Sequence, residues 1–496
     1  MFANFLARAL LLVFAFVPPA RAELTYTESD DNALTIIRMM VTPAAEPVPA
    51  FTHRLVSRDI DLKSGNAAPY YYRALLDLPK VMEHARKEFG DDFDNWYISG
   101  GDATPIEKLP LEQVRKAVSM TSGPIREGLM DAVSRRTCDW QLDVEGLRGS
   151  EVISFLLPEF QTSRELGRLL ALRARLAIAE RRYDDAIESM RMSYRLGRDV
   201  AQPPFLVCAL IGIAIEQINN GTLLELIAAP DSPNLYWALT DLTSPPVDLR
   251  PAVRFELEFG PRMFPFFHHA ETTERAPQEW NRLFTRAVQD LQYVVNRGPT
   301  PRTEPGAGVV ATGLALVSYS HAKEQLVAEG MNRERVEKMA VGHVLAIYTE
   351  RIYRRFADRY QRLWYLPFWE MQKRGQEVDD ELRGAGVLGG GENREVLPIV
   401  ETLLPAMHAA RAAQVRLERD IAAMRVIEAL RMHAAAHDGK LPEKLDDIDR
   451  VPVPHNPATG NPFVYRLDGA TAILELPSSD RIPGYNRRFE IQVANK

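Results

Sequence analysis

His433 and His437 lie four residues apart, a spacing that sets two imidazoles on one face of a helix and within reach of one metal ion. Ala434, Ala435 and Ala436 stand between them, so the glutamate base of a His-Glu-x-x-His site is missing and no third ligand is indicated. The pair therefore reads as a helix's last turn, where a cationic imidazole is favoured by the dipole, and no metal or other cofactor is expected. Glu216 closes the apolar run Phe205–Ile215, where burial raises a carboxyl pKa toward acid–base work. Arg173 or Arg175 is its expected partner across a helical hairpin. Asp139 beside Trp140 reads either as a helix N-cap or as a pair facing a ligand.

Other clusters read as structure. His268 and His269 are adjacent, and adjacent side chains on a helix point apart. Asp446, Asp447 and Asp449 offer oxygens to calcium but lack the glycine and the twelfth-position glutamate of an EF-hand loop, so a solvated turn is expected. Arg351, Arg354, Arg355, Arg359 and Arg362 interleave with Tyr353, Phe356, Tyr360 and Trp364; Glu350 and Asp358 interrupt them, which predicts a salt-bridged solvated face. The chain carries no Gly-x-Ser-x-Gly elbow, phosphate loop, dinucleotide fingerprint or His-Glu-x-x-His motif.

The elements that must hold these residues are mostly helices. Thr162–Val200 reads as a helical hairpin broken at Arg181–Asp185, with Ala174 and Ala186 small enough for close approach. Phe205–Ile215 reads as a central buried helix too short to span a membrane. Tyr70–Leu78 predicts a short helix stopped by Pro79, and residues 23 to about 60 a mobile start with a strand in Phe51–Leu62. Val396–His437 predicts a long amphipathic helix with a break near Pro405, its apolar stripe formed by Leu417, Ile421, Met424, Ile427 and Leu430. Asp468-Gly469 is a hairpin turn between Phe463–Leu467 and Ala472–Leu476, and Phe489, Ile491 and Val493 alternate as a third strand. The fold expected is mainly α: a multi-helix body of packed helical hairpins with a C-terminal α+β module, one long helix and a small antiparallel sheet.

Met1–Ala22 has the parts of a secretory signal: Arg8 in an acid-free start, the apolar run Ala9–Val17, Pro18-Pro19, and small residues at Ala20 and Ala22. Cleavage there gives a mature start at Glu23, with no cysteine at the junction and no permanent membrane anchor. Further boundaries are expected at 23–160, a mostly helical region; 161–300, the hairpins; 301–395, long helices and a Gly-rich link; and 396–496, the terminal module. The 496 residues are 46% hydrophobic and carry a net charge of −7. Dispersed, mildly acidic charge leaves no cationic footprint for nucleic acid. Two cysteines, Cys138 and Cys208, allow either one disulfide or two buried thiols.

Three resemblances attach to particular residues. Ala429–His433, Gly439-Lys440-Leu441-Pro442, and Asn456-Pro457-Ala458-Thr459-Gly460-Asn461-Pro462-Phe463-Val464-Tyr465 resemble the globular part of type II secretion major pseudopilins, which implies a fold for this end. The leader-peptidase site of that family is missing. Ala177–Ser193 resembles a tetratricopeptide-type hairpin, with Arg181 where glycine is usual. Most of the chain resembles a group of exported proteins of planctomycete-type bacteria, through Asn66–Tyr71, Cys138-Asp139-Trp140, Leu170–Arg175, Pro233–Leu239 and the Gly-Lys-Leu-Pro and Pro-Ala-Thr-Gly-Asn-Pro-Phe stretches. That resemblance implies no activity. The function expected is an exported, soluble binding or scaffold protein of the cell envelope, with envelope or secretion proteins as partners. The alternatives are a part of a secretion or pilus-like assembly, or a secreted hydrolase with a cleft near Glu216.

Overall fold

A computed structural model describes residues 24–29, 34–98, 103–143, 158–264, 266–296, 306–383, 395–477, 482 and 485–494. The signal read at 1–22 and the link at 384–391 lie outside these residues, as does most of the link at 298–308. The chain is mainly helical, with a small mixed sheet completed after its last helix.

The first half builds its own core from helices α1 (Ala68–Phe89), α2 (Asp92–Tyr97) and α3 (Leu111–Met120), beside a short parallel pair of strands at Lys63–Asn66 and Arg135–Thr137. Helix α1 runs through Pro79 instead of stopping there. The lost hydrogen bond is outweighed because Tyr71, Leu78, Met82 and Ala85, on both sides of the proline, are buried against Phe93, Trp96 and Val114. Phe51–Leu62 forms turns and a short 3-10 helix, so the strand expected there is absent.

Helices α4 (Pro158–Ala179) and α5 (Tyr183–Val200) form the expected hairpin, and α6 (Leu206–Ala228) packs on both. Arg181 adopts φ 58°, taking the left-handed position that glycine usually fills at a helix end. The N–H groups of Arg181 and Arg182 cap the carbonyls of Ile178 and Ala177. Helix α6 is longer than Phe205–Ile215 suggested. By length and composition it could cross a membrane, but most of it is buried inside the protein. Its Cys208, Ile211 and Ile215 join the first core, and its Ala209, Ile213, Leu223 and Ile227 join a second, larger one.

The second core is covered by α7 (Tyr236–Thr240), α8 (Arg250–Met263), α9 (Pro277–Asn296), α10 (Gly306–Ala328), α11 (Arg333–Lys338), α12 (Val341–Leu363), α13 (Phe368–Arg383) and α14 (Ile399–Ala436). Helix α14 is continuous through Pro405, without the expected break. From Ala410 to Ala434 it has no exposed residue, so the single apolar stripe is only part of its buried surface. The sheet holds five strands, not three. Strands at Leu24–Ser29 (β1) and Leu34–Val41 (β2) join those at Val464–Asp468 (β5), Thr471–Leu476 (β6) and Asn486–Val493 (β7), in the order β1-β2-β7-β6-β5; β3 and β4 are the short pair named above. β2 runs parallel to β7, with Leu34 opposite Asn486 and Val41 opposite Val493. Ile37, Met39 and Val41 alternate toward the core beside Phe489 and Ile491, as a half-buried strand requires. The 23–160 and 396–496 regions are thus stitched into one sheet.

Candidate functional site

The residues singled out by type divide sharply in space. Asp139 lies in a loop, not at a helix start. Its Oδ1 accepts the Gln141 N–H at 2.9 Å, while Asn66 Oδ1 accepts the Asp139 N–H at 2.7 Å. It is an Asx turn, made where Gln141 takes φ 51°. Trp140 turns inward: its Nε1 donates to the Asp199 carbonyl at 2.7 Å, and its ring stacks on Tyr71. Tyr71 and Arg195 both donate to Asp199 Oδ2, at 2.8 and 2.6 Å. Trp140 therefore pins the first core. Cys138 and Cys208 are buried free thiols, and burial raises both pKa values, that of Cys208 to about 12.

His433 and His437 stack with ring centroids 3.9 Å apart, and His437 Nδ1 lies 2.8 Å from the His433 carbonyl. Burial, then the neighbouring His437, lowers the His433 pKa. Among the described residues no three His, Cys, Asp or Glu side chains gather as a metal site. His268 and His269 do not point apart: they sit in a turn with His269 at φ 55°, and their rings lie 4.0 Å apart. Asp447 accepts the Lys444 N–H at 3.0 Å in a short 3-10 turn. The arginine face of α12 is salt-bridged as expected, Arg351 to Glu271 and Glu329, Arg355 to Glu329, Arg354 to Glu350.

Glu216 is 2% exposed, and its Oε2 has no hydrogen-bond partner among the described residues. Burial raises its pKa to about 8, with the more distant Arg198 pulling the other way. Neither Arg173 nor Arg175 is bonded to it. Arg175 pairs with Glu225 at 2.8 Å and donates to the Trp96 and Thr104 carbonyls. Glu216 is pressed onto α5 because α5 and α6 cross at two glycines. A Cβ on Gly197 would stand 2.8 Å from Glu216 Cγ, and one on Gly212 would stand 2.5 Å from the Gly197 carbonyl oxygen. The carboxyl lines a crevice of about 30 Å³ with Tyr194, Arg191, Arg195 and Arg198. That is room for one or two waters.

Two larger cavities flank this crevice. One, of about 470 Å³, shares Val56, Ser57 and Arg191 with it and is lined further by Arg54, Arg58 and Asp61. Both latter arginines are paired, Arg58 with Asp61 and Arg54 with Asp241. The other, of about 570 Å³, shares Leu242, Thr243 and Pro246. Its walls are the loop after α7, the start of α13 at Phe368 and Trp369, the Pro454–Gly460 loop, and one face of α14 carrying Arg411, Glu418 and Arg425. Trp369 is clamped in place: a Cβ on Gly460 would lie 2.8 Å from its ring, and Gly460 has φ 72°, so only glycine suits the position. Burial raises the Glu418 pKa, with Arg411 and a hydrogen bond from Gln414 opposing. These wall residues were not singled out from the sequence. The signal was present as charged residues at positions 411, 418 and 425, a seven-residue recurrence on one helix face.

Comparison of the chain with protein-family models, with curated proteins and with solved structures finds no match in any of the three.

Proposed function

We propose that this chain is an exported binding protein whose ligand seats in the cavity of about 570 Å³. The observation that carries the reading is that cavity itself. Its volume falls within the range of small-molecule sites, and four segments remote in sequence converge on it. Its walls mix aromatic and apolar side chains with a few cationic and hydroxyl groups. Binding is favoured over turnover because Glu216 and Glu225, which burial raises to about 8 and about 7, line other recesses and not the large cavity. Export is supported by the residue pattern of Met1–Ala22.

Ser244 stands exposed at the cavity rim. The test is a small-molecule thermal-shift screen on the chain from Glu23 to Lys496, beside the same chain carrying Ser244→Trp. Hits that raise the melting temperature of the parent and lose their effect in the variant support the reading. Hits unaffected by Ser244→Trp place the ligand elsewhere and overturn it. Glu216→Gln is expected to leave those shifts unchanged. N-terminal sequencing of the protein recovered outside the cytoplasm is expected to begin at Glu23.

A further inference from the structure

Buried arginines in this protein are paired with carboxylates, with two exceptions among the described residues. Arg175 pairs with Glu225, Arg195 with Asp199, and Arg431 with Glu428. The exceptions are Arg419, which donates to the Pro477 carbonyl and lies over Tyr485, and Arg411. Of these two, Arg411 lines the 570 Å³ cavity. It is 8% exposed. Its Nη1 donates to Gln414 Oε1 at 2.9 Å and its Nη2 to the Leu366 carbonyl at 3.3 Å, while its guanidinium lies over the rings of Trp364 and Phe368. Nε–H has no acceptor, and no described carboxylate lies within ion-pair distance. Glu418 and Asp248 act on it only from beyond ion-pair distance, against the repulsion of Arg250 and the penalty of burial, so an anion in direct contact would complete it.

Arg425 repeats the pattern further along the cavity. Its Nη2 donates to Tyr236 Oη at 3.2 Å, its guanidinium lies over that ring, and its Nε–H is buried without a partner. Fourteen residues of helix separate the two arginines, about 21 Å along the axis. Glu418, the carboxyl on the same face, lies midway. Phe368, Trp369, Pro454 and Pro457 supply apolar wall between them.

We propose that the cavity binds an oxyanion, a carboxylate or a phosphate, at the Arg411 guanidinium, with the ligand's apolar stem running along α14 toward Arg425. The guanidinium is well matched to either group, because its planar N–H fork meets two anionic oxygens at once. This proposal rests on the reading that the cavity is a ligand site.

Calorimetry on the chain from Glu23 to Lys496 with octanoate, octyl phosphate and neutral 1-octanol separates the two. The expected result is one site per chain for at least one of the anions, with 1-octanol about tenfold weaker or more. Arg411→Gln is expected to weaken the anions about tenfold or more and to leave 1-octanol unchanged. The tighter anion identifies the source, a fatty or organic acid in one case and a phosphate ester in the other. If 1-octanol binds as tightly as the anions, or Arg411→Gln binds them as the parent does, the oxyanion proposal is overturned. The cavity reading then stands wherever Ser244→Trp still blocks 1-octanol. If no probe binds at millimolar concentration, both fall. Should Arg411→Gln fail to fold, Arg411→Lys keeps the charge and loses the fork. It is expected to weaken octyl phosphate and octanoate while 1-octanol is unaffected, and equal binding by parent and variant counts against the proposal.

Discussion

At the scale of single residues, the interior of this protein is unusually rich in charge, and each buried group has its own balance. Arg431 and Glu428 are fully buried together and tie three segments into one junction. Arg431 donates to the Thr42 and Ser232 carbonyls, and Glu428 accepts the Leu235 N–H at 3.1 Å. Glu216 has no such partner, and its energetics follow from that. Its folded-state pKa of about 8 lies above the 4.5 of an exposed glutamate, so the folded state holds the proton more tightly. The resulting stability is fully present below pH 4.5 and is lost as the pH rises through about 8. Glu225, raised to about 7, acts in the same direction. Glu216→Gln removes the first contribution. The variant is expected to match the parent near pH 4.5 and to exceed it by on the order of 3 kcal/mol at pH 7. Urea denaturation at the two pH values measures the difference, and a gap that fails to widen with pH would mean that the carboxyl is not held neutral.

At the scale of elements, close approach decides where side chains sit. Helices α5 and α6 touch through Gly197 and Gly212, and that contact drives Glu216 into its crevice. Gly212→Ala places a methyl group 2.5 Å from a carbonyl oxygen that belongs to a helix and cannot swing away. A loss of about 1–3 kcal/mol is expected, measured by denaturant titration. Ala174→Gly, at a buried position of α4, is expected to cost about 1–2 kcal/mol from backbone freedom and the lost buried methyl together. Helix α14 shows the converse. Its sequence carries an amphipathic stripe, yet no residue over Ala410–Ala434 is exposed, and Arg416, Glu418, Asp420 and Arg425 are half-buried. Its charged residues are therefore interior groups, and they line a cavity that a solvated face would not have formed.

At the scale of the molecule, the two ends of the chain share a sheet. β2 covers the edge of β7 and brings Ile37, Met39 and Val41 onto the second core. Removing residues 24–41 strips this cover and leaves a bare strand edge above an opened core. Such an edge pairs readily with other chains. The truncated protein is expected to leave the monomer peak in size-exclusion chromatography and to bind a hydrophobic dye. A truncation that stays monomeric and folded would show that the terminal module is independent of the first residues. The stretches Pro233–Leu239, Cys138-Asp139-Trp140 and Pro457–Phe463, conspicuous as sequence, lie respectively at the Arg431–Glu428 junction, beside the Asp199 cluster and, through Pro457 and Gly460, on the cavity wall.

Local patterning by itself determined the helical class, the α4–α5 hairpin, the long last helix and the strands β5 to β7, because apolar periodicity and turn residues act over a few neighbours. The break at Arg181–Asp185 was legible too, whereas the left-handed conformation that Arg181 takes in place of the usual glycine is seen only in the structure. Other features were settled only in three dimensions. Pro79 sits inside a helix because burial on either side outweighs one missing hydrogen bond, and Pro405 also lies within a continuous helix. Strand β2 has its partner more than four hundred residues away, where no short-range pattern reaches. Whether a charged residue on α14 meets water, a counter-ion or a cavity depends on what packs against every face of that helix. That is why Glu216 stood out in the sequence, while the cavity lined by Arg411, Glu418 and Arg425 emerged only from the tertiary structure.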